Sequence, residues 1–446
     1  MSLDPNDSAL PDHELPRRRR QIDRIRVLTR RHGPTAPVWR KRAAILSGAV
    51  TLGLVALLFA RLADEANALF LGFVHIWWWA PLVVTPLAFG MLVWLTRRFA
   101  PAARGSGIPQ IMAARLDPSG AMRSLASART AAVKFLMTLA ALLVGASVGR
   151  EGPTVQISAT IMAYAHRLFR VPLKASVMVA GGAAGVAAAF NTPLAGVTFA
   201  IEELAAAYEQ RMTLLVMTAV LISGMVSLGI AGDYVYFGAM SDTLPFGRAI
   251  AVTLVAGVTG GLTGGLFSRA TLAFAGSGLR PFAWLRARPV ILAVGAGLVV
   301  AVLGCATHMT WGTGYQPARS IILGHDAPWW FGPAKMVATL ATAVSGMPGG
   351  IFAPSLATGA GLGDLLRALF PASAAGPVVL LGMIGYFTGA VRAPLTAVVI
   401  ISEATASHGL LLPLLATALI ADATSSLVCR ERLYHGLSRN FTTAAP

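Results

Sequence analysis

The stretch Gly145-Ala146-Ser147-Val148-Gly149-Arg150-Glu151-Gly152-Pro153-Thr154-Val155-Gln156 lies deep inside an apolar chain. Glycines on both sides of Arg150-Glu151 allow a sharp bend or a close backbone approach. Pro153 suits the first turn of a helix, where its missing N–H is not needed. A helix therefore starts near Gly152, with Glu151 just before it. Such a start carries unpaired N–H groups and the positive end of the macrodipole, and it attracts an anion. Glu151 is itself an anion tethered beside that site. It can occupy the site or leave it, and it can take a proton when displaced.

Adding 201 to each position turns Gly149-Arg150-Glu151-Gly152-Pro153 into Gly350-Ile351-Phe352-Ala353-Pro354. The same shift maps Thr192-Pro193-Leu194-Ala195 onto Ala393-Pro394-Leu395-Thr396, and Glu202 onto Glu403. Gly105-Ser106-Gly107 has a looser echo at Gly312-Thr313-Gly314. Two prolines, a leucine, a glycine and a glutamate in one register indicate an internal repeat, the architecture of many transporters that bind their cargo between two halves.

The 446 residues are 55% hydrophobic and 12% charged, where soluble domains carry about 25% charge. The mean hydropathy is +0.67. The composition is that of a polytopic membrane protein. The net charge of +17 is concentrated at the start, from Arg17-Arg18-Arg19-Arg20 to Arg42. This basic run abuts an apolar span, so it reads as a cytoplasmic tail under the positive-inside rule, touching anionic lipid rather than nucleic acid. The start has no cleavable signal pattern. Cys305 and Cys429 read as small packing residues, and no metal or cofactor set is present.

The expected layout is a basic tail at 1–41, a first membrane repeat at 42–231, an extracytoplasmic linker at 232–247, a second repeat at 248–436 and a tail at 437–446. The first span is expected over Ala43–Leu62. The Ile76–Trp79 aromatics mark an interface before the next span. Arginines 97, 98 and 104, and then 280, 286 and 288, fall on the cytoplasmic side. The first repeat thus enters from inside and the second from outside. The fold class is all-α, an inverted-topology repeat with many tilted and broken helices. Short, Gly- and Pro-broken helices are tolerated where they face protein or a watery path. Both termini are expected in the cytoplasm, with the chain crossing a cell inner membrane.

Carboxylates in a membrane cost about 2.5–3.5 kcal/mol for Asp at a helix centre, so each is a functional suspect. Here they are Glu151, Glu202, Glu203, Asp364, Glu403 and Asp422. Structural pairing within the bundle is the expectation for Asp364, Glu403 and Asp422. Glu202 and Glu203 point about 100° apart on a helix, so one can face a proton path while the other meets a structural partner. Ser106 reads either as an N-cap or as a hydroxyl donor to an anion. By itself Tyr434 reads as an interfacial tyrosine. Lys134 and Arg150 either raise anion affinity at range or pair with a carboxylate.

Gly105-Ser106-Gly107-Ile108-Pro109, Gly149-Arg150-Glu151-Gly152-Pro153 and Gly350-Ile351-Phe352-Ala353-Pro354 resemble the three signature segments of the CLC chloride channels and chloride/proton antiporters. Phe190-Asn191-Thr192-Pro193-Leu194-Ala195-Gly196 strengthens the likeness, which covers about residues 40–436. The resemblance is to prokaryotic forms without C-terminal regulatory domains. It implies a homodimer in the lipid bilayer, each subunit with its own pore for chloride and protons. It implies that Ser106 and Tyr434 offer hydroxyls to the anion, and that Gly152, Ile351 and Phe352 offer helix-start N–H groups. Glu151 corresponds to the external gating glutamate and Glu203 to the internal proton-transfer glutamate of the exchangers. Serine at 106 resembles chloride-preferring rather than nitrate-preferring members, and the Gly-Arg-Glu-Gly-Pro form does not resemble the fluoride-exporting branch. Gln110 departs from the glutamate that many members carry there. The implied function is chloride/proton exchange, with a passive voltage- or pH-gated chloride channel as the alternative. A membrane-embedded hydrolase using Ser106 or Ser147 has no histidine in a matching motif.

Overall fold

The computed structural model describes residues 37–205, 210–232, 235–276, 280–407 and 409–442. Most of the basic tail, Asp233 of the expected linker and residues 443–446 lie outside them. Among the described residues the chain is helical throughout, with no strand beyond one isolated bridge.

The first half comprises α1 (Val38–Ile76), α2 (Pro81–Phe99), α3 (Ile108–Ala114), α4 (Pro118–Ala121), α5 (Ala128–Leu143), α6 (Glu151–Leu168), α7 (Ala175–Phe190), α8 (Pro193–Phe199), a π turn over Ala200–Leu204, and α9 (Gln210–Ala231). The second comprises α10 (Phe246–Gly276), α11 (Arg280–Ala287), α12 (Pro289–Thr307), α13 (Tyr315–Ile322), α14 (Phe331–Ser345), α15 (Phe352–Arg367), α16 (Ala375–Val391), α17 (Pro394–Thr405) and α18 (Leu411–Val428). The short α19 (Leu433–Thr442) follows.

With α4 and α11 set aside, the halves match helix for helix, and their packing repeats. In the first half α6 lies on α7 and α1 on α9; in the second α15 lies on α16 and α10 on α18. Across the middle, α2 packs on its mate α12 and α8 on its mate α17. The match reaches single residues. Asn191 and Arg392, 201 apart, both end their helices in the left-handed conformation, at φ 56° and 62°.

Among the described residues, six helices are long and apolar enough to cross a membrane: α1, α2, α9, α10, α12 and α18. Leu58, Leu87, Met91, Leu221, Met225 and Leu254 are among many large apolar side chains left on the outside. Apolar exposure on this scale, on helices long enough to span, belongs against lipid tails. Without a hydrophobic drive between helices in lipid, small residues set the closest packing. Gly260 and Gly264 of α10 meet Gly385 and Gly389 of α16, where an added Cβ on Gly264 would lie 2.6 Å from Gly389 C.

The first helix differs from expectation. It does not stop at Leu62 but continues through Asp64 and Glu65 to Ile76, 39 residues in all. At 1.5 Å per residue that is about 58 Å, nearly twice the hydrocarbon thickness. Asp64 and Glu65 belong to the helix. Arg150 reaches across to bond Ala60 O (2.6 Å) and Asp64 Oδ1 (2.7 Å). Arg150 thereby pairs with a carboxylate and ties the N-cap of α6 to α1.

Candidate functional site

The three quoted segments meet at one place. Gly149 N–H donates to Gly350 O (2.8 Å), and Gly350 N–H donates to Gly149 O (2.7 Å). These repeat mates form the single antiparallel bridge seen among the described residues. The bridge fixes the starts of α6 and α15, two residues further on, beside each other. Gly349 N–H donates to Gly105 O (3.0 Å), which joins the loop before α3 to the same point. Gly107, the N-cap of α3, has φ 110°, and a Cβ there would lie 2.7 Å from Gly152 O. Only glycine satisfies both demands. A Cβ on Gly152 would collide with the Ser106 hydroxyl, so Ser106 lies directly against the tip of α6.

Glu151 is the first residue of α6 and fully buried. Its Oε2 accepts from Ala353 N–H (3.4 Å), in the first turn of α15. The carboxylate of one half therefore sits on the helix tip of the other. Its Oε1 has no hydrogen-bond partner among the described residues. The hydroxyls of Ser106 and Tyr434 are likewise buried and face each other, with neither satisfied by a well-formed hydrogen bond. Buried polar atoms are nearly always satisfied, by protein or by a bound species. The Phe352 ring stands among Phe190, Phe199, Phe387 and Tyr434, at centroid distances of 5.1–6.4 Å. This packing sets the Tyr434 ring beside the start of α15.

Ser106, Ile351 and Tyr434 share the wall of a cavity of about 430 Å³ with Arg97, Arg104 and Arg286. Ile351 is the N-cap of α15. Gly152 abuts Ser106, and Phe352 packs on Tyr434, behind that wall. Gln110, the departure from the usual glutamate, serves the fold locally. Its Oε1 accepts from Gly107 N–H (3.1 Å), and its Nε2 donates to Arg104 O (2.6 Å) and Ala102 O (3.1 Å), closing the cap of α3.

The adjacent acids diverge, as helix geometry requires. Glu202 accepts from Leu395 N–H (3.1 Å), Thr396 N–H (2.8 Å) and the Thr396 hydroxyl (2.7 Å) at the start of α17. Glu403 accepts from Leu194 N–H (3.2 Å) and Ala195 N–H (2.9 Å) at the start of α8. Each repeat caps a helix of the other. Glu203, in the π turn, is fully buried with neither oxygen hydrogen-bonded among the described residues. It faces His435 Nδ1 at 3.6 Å. It is not part of the cavity wall that holds Ser106 and Tyr434. Asp364 pairs with Arg367 (2.7 Å) and Asp422 with Arg392 (2.9 Å).

Lys335 and His435 are not among the residues singled out from the sequence, and Lys335 is the counterpart of Lys134. Lys134 Nζ donates to Ala103 O (2.8 Å) and Gly105 O (2.5 Å), bracing the loop that carries Ser106. Its repeat mate Lys335 does the same for the loop before α13, through Thr310 O (2.9 Å) and Gly312 O (2.7 Å). The shift of 201 points to Lys335 directly. His435 carries no such signal except its place after Tyr434.

Two halves of matching helix order, whose helix starts meet at one buried point, define a polytopic membrane protein built as an inverted repeat. The chain belongs to the voltage gated chloride channel family, whose family model matches residues 87–426. Solved structures share the fold. A slow cyanobacterial Cl-/H+ antiporter superimposes with a TM-score of 0.76 at 21% identity, covering 91% of this chain and 98% of its own. A CLC-type fluoride/proton antiporter gives 0.72 at 22% identity, covering 86% of this chain and 95% of its own. A eukaryotic CLC transporter gives 0.70 at 21% identity, covering 90% of this chain and 74% of its own.

Proposed function

We propose that the protein is a secondary active transporter exchanging chloride for protons. The observation that carries this reading is the Glu151 carboxylate on the N–H of Ala353, an acid occupying a helix-tip anion position. Chloride binds between the starts of α6 and α15, at Gly152, Ile351 and Phe352, with the Ser106 and Tyr434 hydroxyls as further donors. Helix ends and hydroxyls hold an anion without a full countercharge, so it can also leave. Ionised Glu151 fills the outer position and blocks passage. Protonation, or displacement by chloride, moves it away. Glu203 relays the proton on the cytoplasmic side. The arginines of the cavity wall favour anions at its mouth.

The same reading makes the protein a homodimer in a cell inner membrane with both termini in the cytoplasm. Its membrane repeats run over 42–231 and 248–436 about an extracytoplasmic linker, with cytoplasmic tails at 1–41 and 437–446. The test is flux in liposomes holding the purified protein under a chloride gradient, with chloride and pH recorded together. Exchange predicts protons driven against their own gradient and a reversal potential that moves with pH. Chloride flux with no pH response makes the protein a passive channel. Running fluoride, chloride and nitrate in parallel tests the expectation that Ser106 goes with chloride.

A further inference from the structure

His435 has no role in the scheme above, yet it is the group that a buried acid faces. Glu203 is fully buried and its two oxygens have no hydrogen-bond partner among the described residues. An uncompensated carboxylate in such a place is costly. His435 Nδ1 stands 3.6 Å from Glu203 Oε1, slightly beyond a hydrogen bond, while the His435 side chain remains 41% exposed. The ring thus spans from solvent to the buried acid. It also lies off the cavity wall, to which α19 contributes Leu433, Tyr434, Leu437, Asn440 and Phe441. Tyr434 and His435 are adjacent, so their side chains leave the helix about 100° apart. One helix therefore presents a hydroxyl to the anion cavity and an imidazole to Glu203.

The neighbouring charges leave this contact open. Glu202 is bonded to the start of α17. Arg115, at the end of α3, donates to Leu204 O. Glu431, two residues before α19, pairs with Arg439 of that helix (2.9 Å). Arg432 is within electrostatic reach of Glu203. On the flanking helices, Arg392 is bonded to Asp422 and Arg269 lies near Cys429.

We propose that His435 is the proton port of Glu203, a second relay group between that acid and the water on its side of the membrane. This rests on the exchange reading given above. An imidazole can carry a proton on either ring nitrogen, so it can take one at Nε2 and give one from Nδ1. A hydronium ion gives its proton to Nε2 of a ring protonated on Nδ1, forming imidazolium and water. The Nδ1 proton passes to Glu203 Oε1, leaving neutral imidazole protonated on Nε2 and a neutral carboxyl group. Exchange with water restores the first tautomer. The reverse sequence releases a proton.

The test uses the full chain in liposomes, with proton and chloride turnover measured together for the wild type, His435→Ala and His435→Gln. Proton turnover should fall about tenfold in both variants, a modest loss for a general acid–base group because water can partly substitute. Free imidazole in the bath should restore proton turnover in His435→Ala, the variant with room for it, and leave the wild type unchanged. A purely structural role would not respond to imidazole. Normal proton turnover in either variant overturns the proposal, as does a loss in His435→Ala that imidazole leaves untouched. A wild type that moves no protons overturns the exchange reading and the port together, whereas a coupled wild type with unaffected variants overturns the port alone.

Discussion

Gly149 and Gly350, 201 residues apart, exchange both backbone hydrogen bonds, at 2.8 and 2.7 Å. Each stands two residues before a helix whose N-terminus lies at the site. The contact between repeat mates puts the local two-fold relation of the halves between these two glycines. A Cβ on Gly350 would lie 3.0 Å from Gly152 N, 3.2 Å from Gly149 O and 3.3 Å from Pro153 Cδ, with backbone or ring on every side. Gly350→Ala must therefore spread the tips, an overpacking cost of about 1–3 kcal/mol. Chloride affinity by calorimetry should drop about tenfold, the equivalent of about 1.4 kcal/mol. Unchanged affinity would mean that the spacing of the tips does not set binding.

Glu151→Gln keeps the shape and removes the charge and the proton. Chloride should still cross, no longer gated by pH, and proton turnover should fall by about a hundredfold. In the wild type, lowering the pH on the side that protonates Glu151 should speed anion passage, because the neutral acid no longer competes for the Ala353 N–H. A Glu151→Gln variant that still moves protons against their gradient would remove Glu151 from the mechanism.

Glu203→Gln should cut proton turnover to a similar degree while chloride continues to move. The buried position is retained by an amide of the same size, so stability should change little. Coupled exchange at the wild-type ratio would reject the relay.

The caps made by Glu202 and Glu403 predict a different phenotype. Each carboxylate sits on unpaired N–H groups at a helix start, worth about 1 kcal/mol. Glu202→Ala and Glu403→Ala should each lower stability by about that amount in thermal unfolding, without altering the proton-to-chloride ratio. Glu202→Ala should cost more, because it also loses the Thr396 hydroxyl. A changed ratio in either variant would assign it to the transport path instead.

The buried lysines separate anion site from scaffold. Lys134→Met leaves Ala103 O and Gly105 O short of a donor, and Lys335→Met does the same to Thr310 O and Gly312 O. Each loss should cost about 1–3 kcal/mol of stability. Only the Lys134 variant loosens the loop carrying Ser106, so only it should weaken chloride binding. Equal losses of affinity in both would point to a long-range charge effect instead.

Much of this arrangement was legible in the chain. The shift of 201 residues joined Gly149 to Gly350, and the glycines and Pro153 announced the start of α6. The angle between successive helical residues separated Glu202 from Glu203. What escaped detection was tertiary. The span expected over Ala43–Leu62 ended too early because Asp64, within the longer helix, pairs with Arg150, which is distant in sequence. Nothing local to His435 says that a buried acid will lie beside it. Lys335 was accessible through the repeat, but its importance depends on carbonyls that only the fold gathers.

The central claim is that the Glu151 carboxylate and a halide are rivals for the same helix tips. Anomalous diffraction from crystals grown in bromide, wild type beside Glu151→Gln, tests it most directly. The account predicts an additional bromide peak in the variant within hydrogen-bond distance of Ala353 N, where the wild-type carboxylate lies. Identical bromide positions in both proteins, with that place empty in the variant, would contradict it.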